Sequence, residues 1–183
     1  MTNRKLIKGG FVVSVDEAIG NIADCNILIE DGQIVEVRPS IVAADAEIID
    51  ATGMIIAPGF VDTHRHVWQT QLRTVATDWS LYDYLCEMRS VYSSFYNPDD
   101  AYLGNHVGAL EAINAGVTTL VDHCHLINSP EHADELIRGL DESGIRAVFC
   151  YGLFVNPTQH PFHMERDPDW RYNDARRIRR DHL

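Results

Sequence analysis

The sequence has no paired cysteines, no long apolar run and no surplus of positive charge, and each of these lacks removes a class of protein. The four cysteines (Cys25, Cys86, Cys124, Cys150) are scattered through 183 residues with no C-x-x-C pair. That pattern suits reduced thiols in a cytoplasmic protein and not a disulfide framework. No apolar stretch reaches membrane-spanning length, and Met1 to Lys8 holds no apolar segment of the signal-peptide kind. Neither a membrane span nor secretion is therefore expected. Lys and Arg number 15 against 27 Asp and Glu, a formal net charge of −12. Nucleic acid and anionic membrane surfaces attract basic proteins, so neither is expected as a partner. Positive charge gathers only in residues 166–183, where six arginines stand among four aspartates. That cluster reads as a solvated helix face.

What is present is ordinary for a soluble globular chain: 45% hydrophobic and 23% charged residues, with enough length for one or two small domains. Residues 1–57 read as strands. Leu6–Val15 is an apolar run broken by Gly9-Gly10, and Asn26–Glu30 and Gln33–Val37 flank Asp31-Gly32. An Asp-Gly pair between two strands is a two-residue hairpin signal, because both turn positions need positive φ. Glu47–Ile49 and Met54–Ala57 are two further short strands.

The pattern changes at Pro58-Gly59, where a second region, 58–183, begins. Phe60–His66, Val117–Asp122 and Ile145–Phe154 read as buried strands. Between the first two, Ser80–Phe95 is mostly helical in pattern, and a second helix opens at Asn97 as N-cap with Pro98 in its first turn. Leu103, Val107, Leu110 and Asn114 share one face of that helix, and Gly116 stops it. Ser129-Pro130-Glu131 repeats the cap chemistry for a helix running to Gly144. Residues 156–169 read as a long loop, with His160 and His163 incidental to it, and Asn173–His182 as a further helix. Nearly continuous apolar strands alternating with helices imply an α/β fold of parallel βα units.

The chemistry centres on His64-Arg65-His66. Residues i and i+2 of a strand share a face, so two imidazoles at the end of Phe60–His66 can hold one metal ion. Asp62 is expected on the same face, one step deeper. Spacing alone is weak, since nine histidines give roughly 0.4 H-x-H pairs by chance. The surroundings add weight: Asp50-Ala51-Thr52-Gly53, Pro58-Gly59-Phe60-Val61-Asp62, His64 and His66 follow in order.

That stretch resembles the opening signature of the amidohydrolase superfamily. The similarity extends through Gln69, Thr70, Leu72, Arg73, the segment Leu81–Leu85, Glu111-Ala112 and Gly116–Thr119. It is closest in pattern to the branch of cytosine, guanine and adenosylhomocysteine deaminases and triazine chlorohydrolases. The resemblance implies a TIM (β/α)8 barrel beside a β-sandwich, with this chain supplying the first three βα units of the barrel and part of the sandwich. It implies one divalent metal ion, Zn or Fe, with His64 and His66 among its ligands. The ion would activate water for attack on a cyclic, amidine-like small molecule, expelling ammonia, an amine or a halide. A homo-oligomer of a full-length parent is compatible with it.

Other residues remain open between two readings. Gln69 is either a hydrogen-bond partner for a heterocycle edge or a surface amide of the loop. Trp79 and Tyr82 either cap a flat substrate or belong to the core. His123 and His125 either face the pocket or are satisfied strand-end residues. Cys124 lies between them and points the other way. A complete barrel needs eight strands and about 250 residues, whereas three strands are found after Pro58. The third His, the proton-shuttling Glu and the late Asp of the family have no counterpart here. The chain is therefore expected to be the incomplete N-terminal part of a hydrolase, inactive by itself. The alternative is a non-catalytic remnant with an interaction or assembly role, and a binuclear site of the hydantoinase kind is the rival within the enzyme reading. Three parallel strands would also leave open edges and uncovered apolar faces, with Val61, Leu120, Val121, Val148 and Phe149 on one side or the other. The isolated chain is accordingly expected to be insoluble, or to bind hydrophobic dye without a sharp melt.

Overall fold

The computed structural model describes residues 3–154 and 169–182, which places His160 and His163 outside the described residues. Two compact units divide at Pro58 and Gly59.

In the first unit, β1 (Arg4–Val13), β2 (Asn21–Glu30) and β3 (Gln33–Arg38) form an antiparallel meander. β4 (Glu47–Asp50) and β5 (Ile55–Ile56) pair in parallel with the other side of β1. Asp31 and Gly32 take φ of 48° and 81°, the pair of left-handed residues that a twisted two-residue hairpin needs. β2 starts five residues before its expected first residue, Asn26. Its register on β1 slips around Gly10 and Cys25, and Asp24 has positive φ, so the apolar alternation that marks a strand is interrupted there. Both faces of the sheet are used: Leu6 and Leu28 pack with Ile41 and Ala43, and Val12 packs with Cys25 and Ile27.

The second unit is built on a three-stranded parallel sheet, ordered β6 (Phe60–Arg65), β7 (Val117–Cys124), β8 (Arg146–Tyr151). After β6 come a 3-10 turn at Val67–Leu72, α1 (Leu81–Glu87), a π turn at Met88–Tyr92 and α2 (Ser93–Phe95). The expected single helix over Ser80–Phe95 is thus split by the wider π turn. α3 (Pro98–Asn114) leads into β7, α4 (Pro130–Ser143) into β8, and α5 (Trp170–His182) follows. Asn97 caps α3 with a reciprocal bond to Asp100, 2.9 and 3.0 Å. Ser129 does not cap α4 in this way. Its hydroxyl donates instead to His132 Nδ1 (3.0 Å), and His132 Nε2–H donates to the Tyr96 carbonyl (2.9 Å). The fully buried His132 ring outcompetes the backbone for that hydroxyl and ties α4 to the end of α2.

The buried face of α3 is not the one carrying its large apolar residues. Leu103, Val107 and Leu110 are 47%, 41% and 45% exposed, while Ala101, Gly104, Asn105, Gly108, Ala109 and Ala112 are buried. Close backbone approach explains the inversion. A Cβ on Gly104 would lie 2.5 Å from the Trp68 carbonyl oxygen, and one on Gly139 of α4 would lie 2.7 Å from the Tyr102 carbonyl. Only small residues let α3 sit this close to the 3-10 turn and to α4.

The sheet is likewise covered on one side. Leu120, Asp122 and Cys124 of β7 are buried, and Leu120 and Cys124, with Ala147, Phe149 and Tyr151, contribute to two helix-packed clusters built around Trp68, Leu126 and Leu136 and around Val67 and Ala109. On the alternate face Val61 and Val148 remain 61% and 54% exposed. α5 docks through the arginine-rich segment, which is not simply solvated. Arg177 bridges Asp174 and Asp134, each at 2.7 Å, and Arg171 is buried with Nη2 donating to the Ile127 carbonyl (3.2 Å).

Candidate metal and substrate site

The candidate histidines gather where β6 and β7 end. β6 stops at Arg65, and His66 begins the 3-10 turn with φ −106° and ψ 86°. Despite that change of backbone, the His64 and His66 rings converge, with centroids 5.2 Å apart and planes at 77°. A zinc-bound imidazole has its centroid about 3.2 Å from the ion, so two rings at a tetrahedral angle have centroids about 5.2 Å apart. The pair therefore fits two positions of one tetrahedral ion.

β7 supplies the support. His64 stacks on His123, centroids 4.1 Å apart and 24° between planes. His66 Nδ1–H donates to the His123 carbonyl at 2.6 Å. This bond fixes the tautomer and leaves the Nε2 lone pair for a metal. The next ring along β7's exit, His125, lies 4.4 Å from His66 and is buried. Burial, above all, holds His66 below the usual imidazole range, aided by His64, His123 and Arg89 and opposed by the His123 carbonyl. His125 is pushed down to about 3 by burial, then by Arg89 and His66. Neutral imidazoles are the form that binds metal.

Asp122 lies beneath this layer, fully buried, and accepts from Val67 N–H (3.2 Å) and Asn105 Nδ2 (3.1 Å). Asn105 Nδ2 also donates to the Leu136 carbonyl (3.0 Å). Asp122 thus holds the backbone just after His66, while its neighbour His123 holds the ring. Burial raises the Asp122 carboxyl to about 7, against the hydrogen bonds from Val67 and Asn105 and the charge of Arg65.

Asp62 does not join the histidines. The β6–β7 register shifts between Asp62 and Arg65, and Asp62 pairs with Leu120 of the helix-covered side, so simple alternation fails. Its carboxylate accepts from His64 N–H (3.2 Å) and lies 3.8 Å from Arg65 Nη1. Among the described residues no three His, Cys, Asp or Glu side chains converge to hold an ion. The donor set therefore fits two ligand positions and not a complete shell.

Two open clefts meet at His66 and Tyr84. One, of about 380 Å³, is lined by His64, His66, Tyr84, Arg89, His123, His125 and Phe154, among others. The second, of about 390 Å³, runs past Arg65, Gln69, Arg73 and Glu111. Gln69 Nε2 donates to the Tyr84 hydroxyl (2.7 Å), which lies 3.3 Å from His125 Nε2. Gln69 is therefore wired to the histidine cluster through Tyr84. Trp79 packs against the hydrophobic core around Trp68 and Met88, its ring 6.3 Å from Tyr92, and Tyr82 is exposed. Tyr84, Arg89 and Phe154 were not singled out from sequence. Tyr84 falls inside the recognisable Leu81–Leu85 segment, whereas Arg89 reaches the cleft from a π turn that has no sequence marker.

The sequence profile described as the amidohydrolase family matches residues 55–182. The 5'-deoxyadenosine deaminase of Methanococcoides burtonii is 31% identical over 148 residues, covering 81% of this chain and 33% of that protein. The 5-methylthioadenosine/S-adenosylhomocysteine deaminase of Thermococcus kodakarensis is also 31% identical, with the same coverage. The chain spans about one third of the length of these curated relatives. Among solved structures, the guanine deaminase of C. acetobutylicum with bound guanine superposes with a TM-score of 0.76 at 23% identity, over 96% of this chain and 42% of that one. Atrazine chlorohydrolase of Arthrobacter aurescens TC1, complexed with zinc, gives 0.67 at 23% identity, over 79% and 34%. At these identities the two structures establish likeness of fold.

Proposed function

The chain belongs to the amidohydrolase family, and from that premise we propose that it carries the metal-binding entrance of a hydrolase acting on carbon–nitrogen bonds outside peptides. Under this reading residues 58–183 are the opening βα units of a (β/α)8 barrel, and residues 1–57 are part of an accompanying β-sandwich. The carrying observation is the converged His64–His66 pair, with His66 Nε2 left open by the bond from Nδ1–H to His123. His64 and His66 would hold one divalent ion, zinc or iron. Zinc is favoured by the zinc complex of a structural neighbour. Such an ion supplies Lewis-acid activation of water.

The chain's own residues do the rest. His123 fixes the His66 ring, Asp122 fixes the backbone behind it, and Tyr84 links Gln69 to His125 at the mouth. The substrate class is a small heterocycle or amidine, and the reaction is hydrolytic loss of ammonia, an amine or a halide. The names of the relatives point to adenosine-type deamination. Four free cysteines support a cytoplasmic setting. Among the described residues no helix is long and apolar enough to cross a membrane.

Zinc competition against a chromophoric chelator tests the metal reading. One zinc per chain is expected, at an affinity weaker than three- or four-ligand sites, and lost in His64→Ala and in His66→Ala. Binding unchanged in both variants, or no binding by the parent chain, overturns it.

A further inference from the structure

His66 is held by two consecutive residues of β7. The His123 carbonyl takes its ring N–H, and the Asp122 carboxylate takes Val67 N–H, the amide directly after it. The second bond restrains the backbone of His66, whose ψ of 86° turns the chain out of β6 and into the 3-10 turn. It is made to Asp122 Oδ1, while Oδ2 accepts from Asn105 Nδ2 (3.1 Å) on α3. Two hydrogen bonds in series thus join α3 to the backbone of His66.

Asn105 has little freedom there. Its Nδ2 also donates to the Leu136 carbonyl of α4 (3.0 Å). A carbonyl only accepts, so the nitrogen end of the amide is fixed toward Leu136 and Asp122. A Cβ on Gly139 would lie 3.2 Å from Asn105 Cβ, and one on Gly108 would lie 2.8 Å from the Val67 carbonyl oxygen. α4 and the turn therefore close on α3 from both sides. The same orientation leaves Asn105 Oδ1 buried, with no hydrogen-bond partner among the described residues. An unsatisfied buried acceptor costs stability, and leucine, with the same branched shape, would remove that cost. Packing does not account for the amide, whereas its bond to Asp122 does.

Building on the metal reading above, we propose that Asn105 is a positioning residue of the metal site. It holds the Asp122 carboxylate on Val67 N–H, and so fixes the turn from which His66 meets the ion shared with His64.

The test uses the full 183-residue chain, zinc competition and imidazole ¹⁵N NMR. Asn105→Leu should weaken zinc binding about tenfold or more, as loss of an outer partner of a metal-binding histidine does. In the zinc-free variant the His66 nitrogens should move toward mixed-tautomer values. Ile178→Val, a buried change on α5 outside this chain of bonds, should leave both readings unchanged. Asn105→Asp sets two carboxyl groups face to face and should also weaken zinc binding. Adding Asp122→Asn to it restores a donor opposite an acceptor and should recover part of the affinity. If Asn105→Leu does not fold, this exchanged pair carries the comparison. Unchanged zinc affinity in the Asn105 variants, no recovery in the exchanged pair, or equal weakening in Ile178→Val overturns the role of Asn105 while the metal reading stands. Failure of the parent chain to bind zinc overturns both.

Discussion

Replacing Asp122 with Asn should make the protein more stable at neutral pH and less stable in acid. Asp122 is fully buried and its carboxyl is raised to about 7, whereas in the unfolded chain it titrates near its ordinary value of about 3.9. A raised pKa means the fold prefers the protonated carboxyl. The stabilising contribution is complete below the unfolded value and is lost as pH rises through about 7. The difference of about three units corresponds to about 4 kcal/mol between pH 4 and pH 8. The amide that Asp122→Asn introduces does not titrate. It keeps an acceptor for Val67 N–H but sets its NH2 group against Asn105 Nδ2, which already donates to both Asp122 and Leu136. That mismatch costs about 1 kcal/mol at every pH. Urea unfolding of both proteins at intervals from pH 4 to 8 should therefore give crossing curves, with the parent ahead in acid and the variant ahead at pH 8. Parallel curves would refute the reasoning, because they would mean that Asp122 ionises in the fold as easily as in the unfolded chain.

Gly104→Ala should destabilise the second unit by about 1 kcal/mol: the overlap with the Trp68 carbonyl costs about 1–3 kcal/mol, more than the gain of about 1 kcal/mol in helix propensity. A variant as stable as the parent in urea would show that α3 can step back from the 3-10 turn. The exposed row Leu103, Val107 and Leu110 should bind hydrophobic dye and drive self-association; Val107→Glu with Leu110→Lys should reduce both, and unchanged fluorescence would place the adhesive surface elsewhere. The zinc-loaded 183-residue chain should release no ammonia above background from adenosine or guanine, and metal-dependent release that disappears in His64→Ala would contradict this.

Local chemistry was readable in the sequence and tertiary choices were not. Asp31-Gly32 announces its hairpin because few residues tolerate two successive positive φ angles, and Asn97-Pro98 announces a helix start because its side-chain bond closes within four residues. Neither depends on the rest of the fold. α3 shows the opposite case. Its largest apolar residues suggest the core face, yet the packed face is the one with Gly104 and Gly108, and that depends on how near the Val67–Leu72 turn lies. Ser129 carries a cap signature, but a buried histidine three residues on takes its hydroxyl. The H-x-H alternation placed two rings together, and the structure brings His64 and His66 within 5.2 Å. The same rule misplaced Asp62, because it knows nothing of the register shift before Arg65. Arg89 and Tyr84 enter the cleft through the π turn and the hydrogen-bond chain to His125, neither of which has a periodic signal.

If His64 and His66 share one divalent ion, with His66 binding through Nε2, imidazole ¹⁵N NMR of the full chain during zinc titration will report it. His66 should be an Nδ1–H tautomer before zinc is added. At one equivalent, its Nε2 resonance and one ring nitrogen of His64 should shift together, while Nδ1 of His66 stays protonated on the His123 carbonyl. Zinc-induced shifts at His66 Nδ1, or shifts confined to histidines other than His64 and His66, would contradict it.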